Sequence, residues 1–280
     1  MKKIIICWSI CLCALIVWAQ PKEQAVSLTT QDGWQLAGVY LPAQPEHKTA
    51  LLLHDIGKSH QAFALLIEKM TAQGEGYLAL DLRGHGDSIN KGSYRSFAKE
   101  GVDNEYNQMI RDVNAAVEFL KKKGVAEEEI MFIGAGMGGN VAAKASSLWP
   151  GIGGLALITP VVNFRDVLPV PALRVYKGPV FIAAAADDKK TFLEASVMRN
   201  VSFLSSGEGI VTFATAYDKK SHELVDTWVW PEIIQWIQTP QKPVLSPDPV
   251  EDSGADELYG SYEAIEASGT EEALVPSILQ

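Results

Sequence analysis

The segment Ile130-Met131-Phe132-Ile133-Gly134-Ala135-Gly136-Met137-Gly138-Gly139-Asn140-Val141-Ala142 sets an apolar run directly against a cluster of glycines. Its first residues form a short apolar run of the length and composition of a buried strand. The glycines that follow mark a sharp turn where backbones approach closely. A helical pattern, Val141–Leu148, comes next. A strand, a tight glycine turn and a helix in that order make one unit of a mostly parallel sheet covered by helices.

The same alternation recurs on both sides of this segment. Val26 to Pro42 reads as two strands joined by a turn at Asp32-Gly33, an antiparallel start. Further apolar runs at Ala50–His54, Tyr77–Asp81, Leu155–Thr159, Val180–Ala184 and Ile210–Ala216 read as strands, with Ile130–Gly134 among them. Between them lie helical patterns at Phe63–Met70, Val141–Leu148, Phe192–Val201 and Leu224–Ile237. The clearest helix carries Ile110, Val113, Val117 and Leu120 on one face and ends at Lys121–Lys123 and Gly124. The expectation is an α/β fold, one doubly wound domain over residues 20–238 with eight mostly parallel strands. The stretch from Thr159 to Gly178 is long enough only for a minimal lid over a small, open pocket.

Four segments carry a resemblance: Val26-Ser27-Leu28-Thr29-Thr30 with Asp32-Gly33, Leu51-Leu52-Leu53-His54-Asp55-Ile56-Gly57, Asp81-Leu82-Arg83-Gly84-His85-Gly86-Asp87-Ser88, and the Gly134–Ala142 turn. Together they resemble small bacterial α/β-hydrolases of the dienelactone-hydrolase-like and serine-aminopeptidase-like kind, over roughly residues 25–238. That resemblance implies an α/β-hydrolase fold whose nucleophile stands on the strand–helix turn, followed in chain order by an acid and a histidine. Carried onto this chain, it implies Asp188 as the acid and His222 as the base. The amide of Met137, with one from Asp55 or Ile56, would make the oxyanion hole. The nucleophile position is Gly136, where serine would be expected.

Glycine has no side chain with which to form an acyl-enzyme, so the covalent serine route is closed. Glycine also relieves the backbone strain such a turn imposes, roughly 1–3 kcal/mol. Asp55 is a second departure, and if its carboxylate points inward it opposes a developing oxyanion. Asp187, beside Asp188, is the rival acid. His54, Arg83, His85 and Asp87 read first as residues that hold loops near the site. His47 and His60 lack partners at metal-ligand spacing, and neither a metal nor a cofactor is expected.

Residues 1–19 read as a secretory signal, with Lys2 and Lys3 before the apolar run Ile4 to Val17 and a small-residue cleavage site at Val17-Trp18-Ala19. This implies an exported protein, periplasmic or secreted, with no integral membrane segment after cleavage. Cys7, Cys11 and Cys13 all lie in that segment, so the mature chain would have neither thiol nor disulfide. Without Lys2 and Lys3 there are 22 basic and 34 acidic side chains, a charge of −12 that repels nucleic acid. Residues 239–280, with nine acids, one lysine and five prolines, read as a disordered acidic tail.

Three functions stay open on these residues. The first is a degenerate hydrolase that keeps its pocket for binding or regulation, with a small acyl or ester-like ligand. The second is an active ester or acyl hydrolase in which Asp188 and His222 activate a water standing in the space vacated at Gly136. The third is an interaction protein that captures a protein partner through the acidic tail.

Overall fold

A computed structural model describes residues 22–224 and 229–240. The expected signal and nearly all of the expected tail lie outside these residues. The elements in chain order are β1 (Gln24–Thr29), β2 (Gln35–Leu41), β3 (Thr49–Leu53), α1 (Ala64–Ala72), β4 (Gly76–Leu80), α2 (Glu105–Gln108), α3 (Ile110–Lys122), β5 (Ile130–Ala135), α4 (Met137–Ala145), β6 (Gly154–Ile158), α5 (Val170–Leu173), β7 (Val180–Ala185), α6 (Lys189–Ser206), β8 (Val211–Ala216) and α7 (Trp230–Gln238).

The eight strands form one sheet in the order β1-β2-β4-β3-β5-β6-β7-β8. Pairing is antiparallel from β1 to β2 and from β2 to β4, and parallel from β4 through to β8. This is the expected eight-stranded, doubly wound sheet with an antiparallel start.

The continuous apolar runs have a physical reason: β3, β4, β5, β6 and β7 are buried along their whole length because helices cover both faces. Successive side chains alternate between two cores. Leu51, Leu53, Phe132, Leu155 and Leu157 pack with the buried residues of α3 and α4. Ala50, Leu52, Met131, Ile133 and Ala156 pack on the other face with Trp230, Ile233 and Trp236 of α7. Helix α3 buries Val113, Ala116, Val117 and Leu120, the face read from its periodicity.

Helix boundaries differ from expectation at two places. Helix α4 begins at Met137, not Val141, because the glycine pair Gly138-Gly139 is helical despite its low propensity. Helix α6 begins directly after Asp188, whose side chain caps it, and so extends past both expected ends. Helix α7 spans Trp230–Gln238, with Pro231 in its first turn, where proline's missing N–H costs nothing, and residues 225–228 of the expected helix lie outside the described residues.

Candidate functional site

The turn from β5 into α4 places Gly136 at φ +50°, ψ −118°, a conformation in which a side chain is strained. Two other glycines let the turn close. A Cβ on Gly138 would strike the carbonyl of Leu53, and one on Gly134 would strike the backbone of Gly138. The amide of Gly136 donates to Ile158 O at 2.9 Å, tying the turn to β6. The amide of Met137 is left at the N-terminus of α4, facing the loop that follows β3.

That loop brings in Asp55, and its carboxylate points inward. Asp55 Oδ1 accepts from the amide of Ile56 at 2.7 Å and from the amide of Met137 at 2.8 Å. These are two of the donors expected to receive an oxyanion, and here they bind a carboxylate of the chain itself. The first-turn dipole of α4 adds to this attraction, by roughly 0.3–1 kcal/mol in such settings. The carboxylate also fills the space above Gly136. A Cβ at that position would lie 2.6 Å from Asp55 Oδ2 and closer still to Oδ1. The room for a water that glycine was expected to leave is therefore taken by Asp55, because glycine's missing side chain and the inward carboxylate occupy the same volume.

His54 anchors the loop. It is fully buried, Leu82 N donates to its Nε2 at 3.0 Å, and its Nδ1 donates to Asp55 O at 2.7 Å. Burial pulls its pKa down to about 4, with the bond to the Asp55 carbonyl opposing the shift. His54 is thus neutral and structural. Behind it, the buried guanidinium of Arg83 pairs with Asp112 at 2.7 Å, and with Asp32 and Glu105 at 2.8 Å each. His85 stacks on Tyr94 with ring centres 4.2 Å apart. Asp87 donates its amide to Asp81 Oδ2 at 2.9 Å.

Asp188 caps α6, accepting from Thr191 N at 3.3 Å and from Thr191 Oγ1 at 2.9 Å. Ser221 Oγ donates to Asp188 Oδ2 at 2.8 Å, which holds the Ser221–Glu223 turn against it. His222 belongs to that turn, and its side chain lies outside the described residues. Asp187 is exposed and makes no hydrogen bond or ion pair among the described residues. The Ser221 hydrogen bond, chiefly, and those from Thr191 hold the Asp188 carboxyl below its ordinary value against a smaller upward push from burial.

A cavity of about 340 Å³ joins these parts. Its walls include Phe63, Ala135, Met137, Val161 and Phe164, and its polar lining includes Asp55, Lys58, Thr159, Thr191 and Ser221. The short flap between β6 and β7 supplies Val161 and Phe164 and is fastened by buried Asn140 of α4. Asn140 Nδ2 donates to Val161 O at 2.7 Å and to Val167 O at 3.0 Å, and its Oδ1 accepts from Val161 N at 3.1 Å. Asn140, Thr191 and Ser221 were not singled out from the sequence. Asn140 stands inside the glycine turn, and Thr191 follows Asp188 at the spacing of a helix cap, so two of the three carried a local signal.

The fold matches known proteins. A family profile described as serine aminopeptidase, S33, matches residues 44–204, more than half of the chain. An esterase from Pyrococcus furiosus superposes with a TM-score of 0.61 at 20% identity, covering 78% of this chain and 89% of that one. A dienelactone hydrolase from Anabaena variabilis gives 0.62 at 14% identity, covering 79% and 97%. The protein phosphatase methylesterase 1 of Schizosaccharomyces pombe is 26% identical over 123 residues, 42% of this chain. The match spans only 34% of the methylesterase's length. With its strand order, its turn at Gly136 and the family match over residues 44–204, this chain belongs to the S33 serine aminopeptidase family of α/β-hydrolases.

Proposed function

We propose that this protein is an exported, catalytically degenerate member of its family that uses the retained cavity to bind a small ligand. The observation that supports this most is the Asp55 carboxylate, which sits on the amides of Ile56 and Met137 above Gly136. Acyl transfer needs a nucleophile and an empty pair of donors for the developing oxyanion. Gly136 supplies no nucleophile, and Asp55 fills the donors. An acyl or ester-like ligand would find its carbonyl position taken, so the binding determinants are the remaining walls and Asp55 itself. Export rests on the signal-like residues 1–19. Among the described residues no helix is long and apolar enough to cross a membrane.

A second reading draws on the Ser221–Asp188 hydrogen bond, which brings the turn bearing His222 beside the acid. In that reading, Asp188 and His222 activate a water elsewhere in the cavity. Partner capture by the acidic tail is independent of both and is tested by deleting residues 241–280.

Hydrolysis of short-acyl chromogenic esters separates the two readings of the pocket. The unaltered protein should show only background turnover. The pair Asp55→Gly with Gly136→Ser should turn over, and His222→Ala added to that pair should abolish it. Turnover by the unaltered protein that disappears with His222→Ala alone would overturn the proposal in favour of water activation.

A further inference from the structure

We infer that the cavity is a binding site for small organic ammonium ions, with Asp55 Oδ2 as the recognising atom. This rests on the reading of the cavity as a retained binding site and names the ligand class.

The argument starts from what Asp55 has and lacks. An ionised carboxylate offers about four acceptor positions. Oδ1 uses two of them on the amides of Ile56 and Met137. Oδ2 has no hydrogen-bond partner among the described residues, yet the residue lines the cavity. The anion is therefore fixed in place by donors on one oxygen and presents the other to a space walled by Phe63, Met137, Val161 and Phe164. Among the described residues Lys58 is the one cationic side chain lining that space, and it is exposed and makes no ion pair with them. Among the described residues, then, no cationic side chain pairs with Asp55.

A partly desolvated anionic oxygen selects strongly among ligands. Carboxylates and phosphates are repelled by its charge. An ester or ketone oxygen would meet an acceptor where it needs a donor, which leaves an unsatisfied pair at a cost. An ammonium group supplies both donors and charge, and such charge-assisted bonds are about twice as strong as neutral ones. Phe63 and Phe164 add aromatic surface suited to a cation. At about 340 Å³ the cavity lies at the small end of ligand pockets, and a single ring or a short alkyl chain fits within it as the apolar body. The carboxylate that closes the hole to ester chemistry is then the group that defines the new ligand.

Isothermal titration calorimetry of the purified protein with benzylammonium, benzyl alcohol and benzoate tests this. Benzylammonium should bind at least about tenfold more tightly than benzyl alcohol, and benzoate should not bind. Asp55→Asn keeps the shape and the Oδ1 acceptor but replaces Oδ2 with an N–H donor. It should abolish the preference for the cation and bring benzoate up to or above benzylammonium. Asp55→Ala should also lose the preference, which guards against an effect peculiar to asparagine. Should both variants fail to fold, the ranking of the three probes by the unaltered protein decides by itself. Equal binding of the cation and the alcohol, a preference for benzoate, no binding of benzylammonium, or a cation preference that survives in either variant overturns the inference. The degenerate-hydrolase reading is judged separately by ester turnover, so the two can fail independently.

Discussion

A side chain at position 136 and the observed carboxylate of Asp55 exclude one another, since a Cβ on Gly136 would lie 2.6 Å from Asp55 Oδ2 and closer still to Oδ1. The two residues come from different strand ends, and the inward position of Asp55 depends on the absence of a side chain at 136. An inward aspartate requires glycine opposite it. A glycine at a turn of φ +50° leaves a void that the carboxylate occupies while satisfying two amides.

This coupling makes the first prediction. Gly136→Ser alone should destabilise the protein by about 2–5 kcal/mol, combining backbone strain with overpacking against Asp55. In an Asp55→Gly background the overpacking disappears and only the strain, roughly 1–3 kcal/mol, remains. Denaturant unfolding of the two single variants and the pair gives the interaction energy directly. Additive effects would show that the two side chains do not share one space.

How far this site could be read in advance depends on which residues carried period and which carried direction. Strands β3 to β7 were legible because burial on both faces makes each a bounded apolar run. The turn at Gly136 was legible because close approach at Gly134 and Gly138 leaves glycine as the only residue that fits. The orientation of Asp55 was not legible, because a side chain on a loop is placed by partners distant in sequence, here Met137 at a separation of 82 residues. The start of α4 was hidden by Gly138-Gly139, whose low helical propensity is overridden by packing against β3 and β5.

The second prediction concerns acid sensitivity through His54. Its pKa is lowered to about 4 by burial, whereas the unfolded chain titrates near the ordinary 6.5. Between these values the unfolded state binds the extra proton, so stability falls as pH drops from about 6.5 to about 4. The limit is about 3 kcal/mol. Protonating Nε2 would also break the bond it accepts from Leu82 N. Urea unfolding at pH 7, 5.5 and 4.5, with NMR titration of the His54 ring, checks this. A ring that protonates near pH 6.5 in the folded protein contradicts it.

Ser221 and Asp188 carry the third. The serine hydroxyl is the largest influence holding the Asp188 carboxyl below its ordinary value. Ser221→Ala should therefore raise the titration of Asp188 toward the usual carboxylate range, visible in carboxyl carbon shifts. A lowered folded value contributes stability above the unfolded pKa that is lost as pH falls through the folded one. The variant should accordingly show a shallower loss of stability in acid. An unchanged Asp188 titration would mean that the cap bonds from Thr191 and the nearby charge of Lys190 set its value without Ser221.

The fourth concerns Asn140, which is fully buried and joins α4 to the flap through three hydrogen bonds, two to Val161 and one to Val167. Asn140→Leu keeps the volume roughly constant but leaves a backbone amide and two carbonyls without these partners. Each such group costs about 1–3 kcal/mol when water cannot reach it. The flap forms one wall of the cavity, so water can relieve part of that cost by entering as the flap loosens. A stability loss of about 2–4 kcal/mol is expected, confined to the flap and α4. Hydrogen exchange at Val161 and Val167 should quicken while amides of β3 to β7 keep their protection. Loosening should also weaken benzylammonium binding, because Val161 and Phe164 hold the cavity's shape, but leave the preference over benzyl alcohol intact, because that preference belongs to Asp55. Unchanged exchange at Val161 would show that the flap is held by its own turn and by the packing of Phe164 and Arg165 on Tyr106, with Asn140 incidental to it.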